Sequence, residues 1–332
     1  MSKSKKRALV LGCGGVAGAA WQIATLAELE RALGWDAREA DVLVGTSAGA
    51  VLAALLGAGV SVERMVRSQL GELANDCWNH DEDTGGPRPP KPALGLTAPA
   101  LMYGALRRRL HPFAGLAGLL PRGTADIEPL MRLVDNVVPA GQWSPHPATW
   151  IMVIDAKTGE RVALGREGAP RVALNVAVGA SFAIPGWYRP MRTNGATYLD
   201  GGIVSPTSAD LLVGTDVREA IVLAPMAARE LDPQRRKGSR FAAELRRYMT
   251  NIVNREVRAL EQAGIRVVRL EPGAEDRAAI GSNMMNPKRR RRVFDTATRT
   301  AKDAVADALL GFGEADRARD ATGGATRAAS AG

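Results

Sequence analysis

Two long stretches of this chain, residues 8–27 and 42–62, contain no Asp, Glu, Lys or Arg. Each is close to the length of a membrane-spanning helix, so whether they cross a bilayer or fill a core decides the rest of the fold. Glycine argues for the core. Gly12, Gly14, Gly15 and Gly18 interrupt the first stretch, and Gly45 and Gly49 the second. Glycine costs about 1 kcal/mol in a helix interior relative to alanine and favours turns. Each stretch therefore reads as a buried strand, a tight turn and a buried helix. Strands that are apolar throughout and separated by helices form a parallel sheet covered on both faces. The expected class is α/β, with a mainly parallel central sheet. The basic start followed by Ala8-Leu9-Val10-Leu11 and Cys13 imitates a lipoprotein signal. Its apolar run falls short of the roughly 7 to 15 residues a signal needs, so a cytoplasmic protein is expected.

The pattern continues along the chain. The spacing predicts strands over Arg7–Leu11 and 41–44 and helices over 18–33 and 48–56. Residues 75–147 change character: Pro87, Pro89, Pro90, Pro92 and Pro99 accumulate, Arg107-Arg108-Arg109 follows, and short helical patches cover 98–110 and 127–137. That segment reads as an inserted lid. Strands return over Thr149–Asp155 and Arg161–Leu164, then a short helix over 171–180 and a hairpin around Asn194-Gly195. Two more buried strands, 219–224 and Arg266–Leu270, flank a long helix over 241–263 that Gly264 is placed to end. A last helix is expected over 293–310. Residues 1–312 read as one domain and 313–332 as a disordered tail, since the tail has no periodicity.

At 332 residues the chain can bury a large core, and 46% hydrophobic with 24% charged residues excludes a disordered or collagen-like chain. Two cysteines, Cys13 and Cys77, support neither a disulfide framework nor a four-ligand zinc site, and no cofactor or metal is expected. The net charge of +9 resides in two runs: Lys3, Lys5, Lys6 and Arg7, and Lys288, Arg289, Arg290, Arg291 and Arg292. Such runs favour anionic surfaces. No recognition motif accompanies them, so nucleic acid is not expected. The second run opens the last helix, the end where the helix dipole disfavours cations. It is read as a peripheral contact with acidic phospholipid headgroups.

The chemistry-bearing signal is Gly45-Thr46-Ser47-Ala48-Gly49, a G-x-S-x-G between a predicted strand and a predicted helix. A serine in such a strained turn needs glycine two residues to either side, and the helix N-terminus favours developing negative charge. A serine nucleophile needs a base. The histidines His80, His111 and His146 all precede the later strands, whereas an α/β-hydrolase triad ends on its histidine. The base is therefore sought among carboxylates. Asp200 stands out, at the end of a predicted strand and followed by Gly201-Gly202. A third element, Gly12-Cys13-Gly14-Gly15-Val16-Ala17-Gly18, joins the first strand to the first helix, where loop N–H groups make an anion site.

These elements in this order, with Ala180-Ser181-Phe182-Ala183-Ile184-Pro185 before the Asp-Gly-Gly, resemble the patatin-like phospholipase family over roughly residues 7–225. The resemblance implies a three-layer α/β/α fold and a lipid acyl hydrolase with a Ser47–Asp200 dyad and an acyl-enzyme intermediate. It also implies an oxyanion hole from the N–H groups of Gly14 and Gly15, with Ala48 as the residue after the nucleophile. The expected substrate is a phospholipid, a lysophospholipid or another acyl ester. The family loop reads Gly-Gly-Gly-x-Arg/Lys-Gly; here Cys13 replaces the first glycine and Ala17 the basic residue. Two alternatives remain at this stage. One is a non-catalytic lipid-binding or scaffold protein of the same fold. The other is a dinucleotide-binding protein, because Gly12-x-Gly14-x-x-Ala17 also meets that fingerprint.

Overall fold

A computed structural model describes residues 6–73, 88–229 and 240–329. His80, Cys77, Lys3, Lys5 and Pro87, used above, lie outside the described residues. In chain order the elements begin with β1 (Arg7–Leu11), α1 (Gly15–Leu33), β2 (Val42–Thr46), α2 (Ala48–Gly57) and α3 (Val62–Leu70). β3 (Ala93–Leu96), α4 (Ala100–Leu106), α5 (Pro112–Gly118), β4 (Pro121–Arg122) and α6 (Glu128–Asp135) follow. The second half holds β5 (Thr149–Asp155), β6 (Arg161–Leu164), α7 (Leu174–Ser181), β7 (Met191–Thr193), β8 (Ala196–Asp200) and β9 (Glu219–Leu223). It closes with α8 (Arg240–Gln262), β10 (Arg266–Leu270), α9 (Ala274–Ile280) and α10 (Arg290–Ala329).

The main sheet runs β10-β9-β1-β2-β5-β8-β7, with β6 paired to β5. β10, β9, β1, β2 and β5 are mutually parallel, while β6 and β8 run antiparallel to β5. Alternation along β1 sorts the helices into layers. Leu9 and Leu11 join a core with Leu26, Leu52, Val178 and Val305 from α1, α2, α7 and α10. Ala8 and Val10 join Leu212 and Leu260, the latter from α8, on the opposite face. Helices thus cover both faces of the sheet, which explains why the central strands β1, β2 and β9 are buried along almost their whole length.

Both charge-free stretches are strand, turn and helix, as glycine placement implied. No helix among the described residues is long and apolar enough to cross a membrane. Four departures from the sequence reading have physical causes. First, α1 starts at Gly15 rather than residue 18, because Gly15 adopts φ 55° and turns the chain early. Second, α3 was not expected. It buries only Val62, Met65 and Gln69 and is fixed by its Ser61 cap, whose hydroxyl accepts from Arg64 N–H at 3.2 Å. Third, the stretch from residue 313 onward, expected to be irregular, continues α10 to Ala329; alanine and arginine, frequent there, are strong helix formers.

Fourth, most of the basic run at the start of α10 has partners inside the protein. Arg290 Nη1 donates to Gln69 O at 2.6 Å, Arg291 Nη1 to Leu70 O at 3.3 Å and Arg289 Nη1 to Ala279 O at 3.1 Å. These acceptors are last-turn carbonyls of α3 and α9, which lack intrahelical partners. The unfavourable end of one helix dipole is thereby offset by the favourable ends of two others. Lys288, Arg291 and Arg292 are exposed.

Candidate active site

Ser47 alone makes the turn between β2 and α2. Its backbone, at φ 55° and ψ −119°, occupies a region that costs a residue with a side chain about 1–3 kcal/mol. Neighbouring groups hold it there. Ser47 N–H donates to Ser181 Oγ at 2.8 Å, and Ser181 Oγ donates to Met152 O at 2.6 Å. The flanking glycines are required by close approach of backbone. A Cβ on Gly49 would stand 2.0 Å from Leu11 O, and one on Gly45 would stand 2.5 Å from Gly49 O.

Asp200 arrives from β8. Thr46 lies opposite Met152 and Asp200 opposite Val153, so the ends of β2 and β8 meet one residue apart along β5. The Ser47 hydroxyl hydrogen-bonds to the Asp200 carboxylate, and Gly202 N–H donates to Asp200 Oδ1 at 2.7 Å. Ser47 is 2% exposed and Asp200 5%. Burial pushes the Asp200 carboxyl from 3.8 up to about 7, while the bonds from Ser47 and Gly202 act in the opposite direction. The outcome is a carboxylate with the basicity of an imidazole, already hydrogen-bonded to a serine.

The glycine-rich loop lies beside the pair. Gly12 N–H donates to Leu223 O at 2.9 Å and Cys13 N–H to Pro206 O at 2.8 Å. Among the described residues, the N–H groups of Gly14 and Gly15 have no acceptor in the chain. They stand at the positive end of α1. Ala48 N–H, the first of α2, is likewise without an acceptor among the described residues, but Ala48 is buried and does not line the cavity. Cys13 is buried, and burial followed by the charge of Asp200 pushes its thiol well up, so it stays protonated and inert. Ala17 is fully buried, with its N–H on Met284 O at 2.9 Å.

Ser47, Asp200, Gly14 and Gly15 share the wall of a cavity of about 630 Å³. The rest of the lining is mostly apolar, including Phe113, Leu116, Trp187, Leu245, Met249 and Met285. Sequence reasoning missed two contributors. Ser181, inside a motif already noted, holds the Ser47 turn, and its only signal was that motif. Arg246, on α8, is the cation that the described cavity wall contains and had no signal at all. Its Nη1 donates to Pro225 O and Ala227 O, both at 3.1 Å. Burial lowers it to about 10, with Arg277 adding repulsion and Glu271 opposing, so it stays charged at neutral pH. Pro225 packs on Gly14, where a Cβ would stand 2.9 Å from Pro225 Cβ, so Arg246 fixes one side of the glycine loop.

The described histidines are engaged elsewhere. His146 Nε2 lies 2.6 Å from Ala40 O, and its Nδ1 accepts from Ala148 N–H at 3.2 Å. His111 stacks on Tyr248 with ring centroids 4.1 Å apart. β2 runs into Gly45-Thr46 with no acid at its end, so the ribose-binding carboxylate of a dinucleotide site is missing.

Comparison with known proteins follows the same lines. A search of curated proteins finds no match. Among solved structures, the crystal structure of VipD from Legionella pneumophila aligns with a TM-score of 0.42 at 13% identity, over 92% of this chain and 67% of that one. The family model for patatin-like phospholipase matches residues 9–213, a span that contains the glycine-rich loop, the Ser47 turn and the Asp200 strand end. With that match over most of its length, the chain belongs to the patatin-like phospholipase family.

Proposed function

We propose that this chain is a serine lipid acyl hydrolase in which Ser47 is the nucleophile and Asp200 the general base. Family membership supports lipid acyl hydrolysis in general. The observation that carries the finer reading is the strained Ser47, its hydroxyl bonded to a buried Asp200 in the wall of a mostly apolar cavity. Asp200 takes the Ser47 proton as Oγ attacks the ester carbonyl. The oxyanion that forms receives hydrogen bonds from Gly14 and Gly15 N–H, with Ala48 N–H as the residue after the nucleophile. Asp200 then protonates the departing alcohol, leaving the acyl group on Ser47. Water, deprotonated by Asp200, attacks the acyl-enzyme; the fatty acid is released as Asp200 returns the proton to the departing Ser47 Oγ.

The apolar lining suits an acyl chain, so the substrate class is a phospholipid, a lysophospholipid or another long acyl ester. The setting is a cytoplasmic enzyme that meets lipid at a bilayer. With Arg289 and Arg290 engaged inside the protein, any contact of the 288–292 run with anionic lipid rests mainly on the exposed Lys288, Arg291 and Arg292. The test is hydrolysis of a p-nitrophenyl acyl ester series and of phospholipid vesicles by wild type, Ser47→Ala and Asp200→Asn. Activity in the wild type that both folded variants lose supports the dyad. An inactive wild type, or a variant that keeps activity, overturns it.

A further inference from the structure

Among the described residues, exposed apolar side chains are concentrated in one unit. Of the nine large hydrophobic side chains exposed among the described residues, seven fall between residues 94 and 120: Leu94, Leu96, Tyr103, Leu106, Leu116, Leu119 and Leu120. That unit is the β3–β4 pair with α4 and α5 between its strands. α4 is apolar on two sides. Leu101 is buried with Ile154 and Leu199 at the sheet, whereas Tyr103 and Leu106 are 56% and 75% exposed. A surface helix needs one apolar stripe to fold onto its core; a second one requires another apolar partner.

Charge identifies that partner. From Arg88 to Ala125 the chain has no Asp or Glu and carries Arg88, Lys91, Arg107, Arg108, Arg109 and Arg122. All six are exposed, and the Arg107 guanidinium lies over the Tyr103 ring at 4.5 Å. Exposed leucines rimmed by arginines, with no acid among them, complement the acyl region and phosphates of an anionic bilayer. The position of the unit fits the same partner. Leu116, Leu119 and Leu120 are exposed and also line the cavity that holds Ser47, so a bilayer on this face would meet the cavity directly.

We propose that the face built from β3, β4, α4 and α5 is the membrane-docking surface of this protein and that its partner is an anionic lipid bilayer. The delivery of lipid to Ser47 rests on the proposed function; the docking does not. The test is co-sedimentation of the full chain in a Ser47→Ala background, which keeps the vesicles intact, with phosphatidylcholine vesicles with and without phosphatidylglycerol. Leu94→Glu with Leu106→Glu is expected to lower binding to anionic vesicles roughly a hundredfold, at about tenfold for each leucine withheld from the acyl region. Arg107→Gln, Arg108→Gln and Arg109→Gln together are expected to lower it by about a hundredfold, at about fivefold per charge, and to leave the weaker binding to neutral vesicles unchanged. Lys288→Gln with Arg292→Gln is expected to leave anionic binding intact. Circular dichroism, and hydrolysis of a water-soluble short-chain ester in the Ser47 background, report whether the variants keep their fold. Unchanged binding of the leucine variant overturns the proposal, as does loss confined to the Lys288 and Arg292 variant. A dimer in light scattering that Leu106→Glu dissociates also overturns it, since the face would then belong to a second copy of the chain.

Discussion

Asp200→Asn should make this protein more stable above neutral pH, and the size of the gain follows from the burial of the carboxyl. In the folded state its pKa lies at about 7; an unfolded chain returns it to 3.8. This is the reverse of the usual carboxylate case. Below pH 3.8 the group is protonated in both states and makes no difference. Between 3.8 and about 7 the unfolded state ionises while the folded state does not, so stability falls as pH rises. Above 7 the folded protein also carries the charge, and the accumulated cost levels off. At about 1.4 kcal/mol per unit the full difference is about 4 kcal/mol.

Asparagine imitates the protonated acid in shape and still accepts from Gly202 N–H and the Ser47 hydroxyl, so Asp200→Asn removes the charge and little else. The variant should match wild type at pH 4 and exceed it by up to about 4 kcal/mol at pH 8, where about 2.1 cal/mol/K per residue converts this to roughly 6 °C in Tm. Thermal and urea unfolding of both proteins across this pH range measures the difference. Equal stability at pH 8, or a variant weaker than wild type there, would refute the claim that the carboxyl is buried with a raised pKa.

Three further predictions test the site and its supports. The kcat/KM for a soluble ester should fall about tenfold per pH unit below an apparent pKa near 7 and level off above it, because only ionised Asp200 accepts the Ser47 proton; a profile flat from pH 5 to 8 excludes Asp200 as the base. Ser181→Ala leaves Ser47 N–H without its acceptor, which should cost about 1–3 kcal/mol in stability. It should also lower kcat/KM on the order of a hundredfold through misplacement of the nucleophile, and steady-state kinetics beside urea unfolding separates the two effects. Glu256, buried on α8, accepts from the Ser205 and Thr207 hydroxyls and from Ala209 N–H at 3.2 Å. Glu256→Ala should cost about 3 kcal/mol in urea unfolding, whereas Glu256→Gln, which keeps an acceptor there, should cost less than half of that.

What could be read from the sequence was local. Arg7–Leu11, Thr149–Asp155, Arg161–Leu164 and Arg266–Leu270 are strands at their expected boundaries, because an apolar run closed by turn residues is a nearest-neighbour signal. The hairpin at Asn194-Gly195 is equally local, with φ 49° and 76° at its two turn residues. The turn at Ser47 and the Asp200 strand end were legible for the same reason. What escaped notice depends on distance along the chain. Ser181 reaches Ser47 across 134 residues, and Arg246 meets the loop at Gly14 through Pro225 in the tertiary fold alone. The internal partners of the basic run at the start of α10 were equally out of reach, since they are carbonyls that only the packed ends of α3 and α9 present.

None of the described histidines lies at Ser47, and the burial of Asp200 supplies what the proposed mechanism needs in their place. A base effective at neutral pH needs a pKa near 7, which imidazole has in water and aspartate does not. Moving a carboxyl from 3.8 to about 7 requires a site that excludes solvent yet keeps at most a few donors on the anion; more donors would pull the pKa back down. Asp200 has that balance: it is almost wholly buried, with one backbone N–H from Gly202 and one hydroxyl from Ser47. Both donors serve the proposed reaction directly, since one orients the carboxylate and the other carries the proton to be removed. A third donor inserted beside Asp200 would stabilise the fold at pH 8 and weaken the base in the same step. In the proposed mechanism, the stability that Asp200→Asn should recover is therefore the free energy that keeps the wild-type carboxylate reactive. For this reason the pH dependence of unfolding and that of catalysis should share one midpoint; separate midpoints would show that the buried carboxyl and the base are different groups.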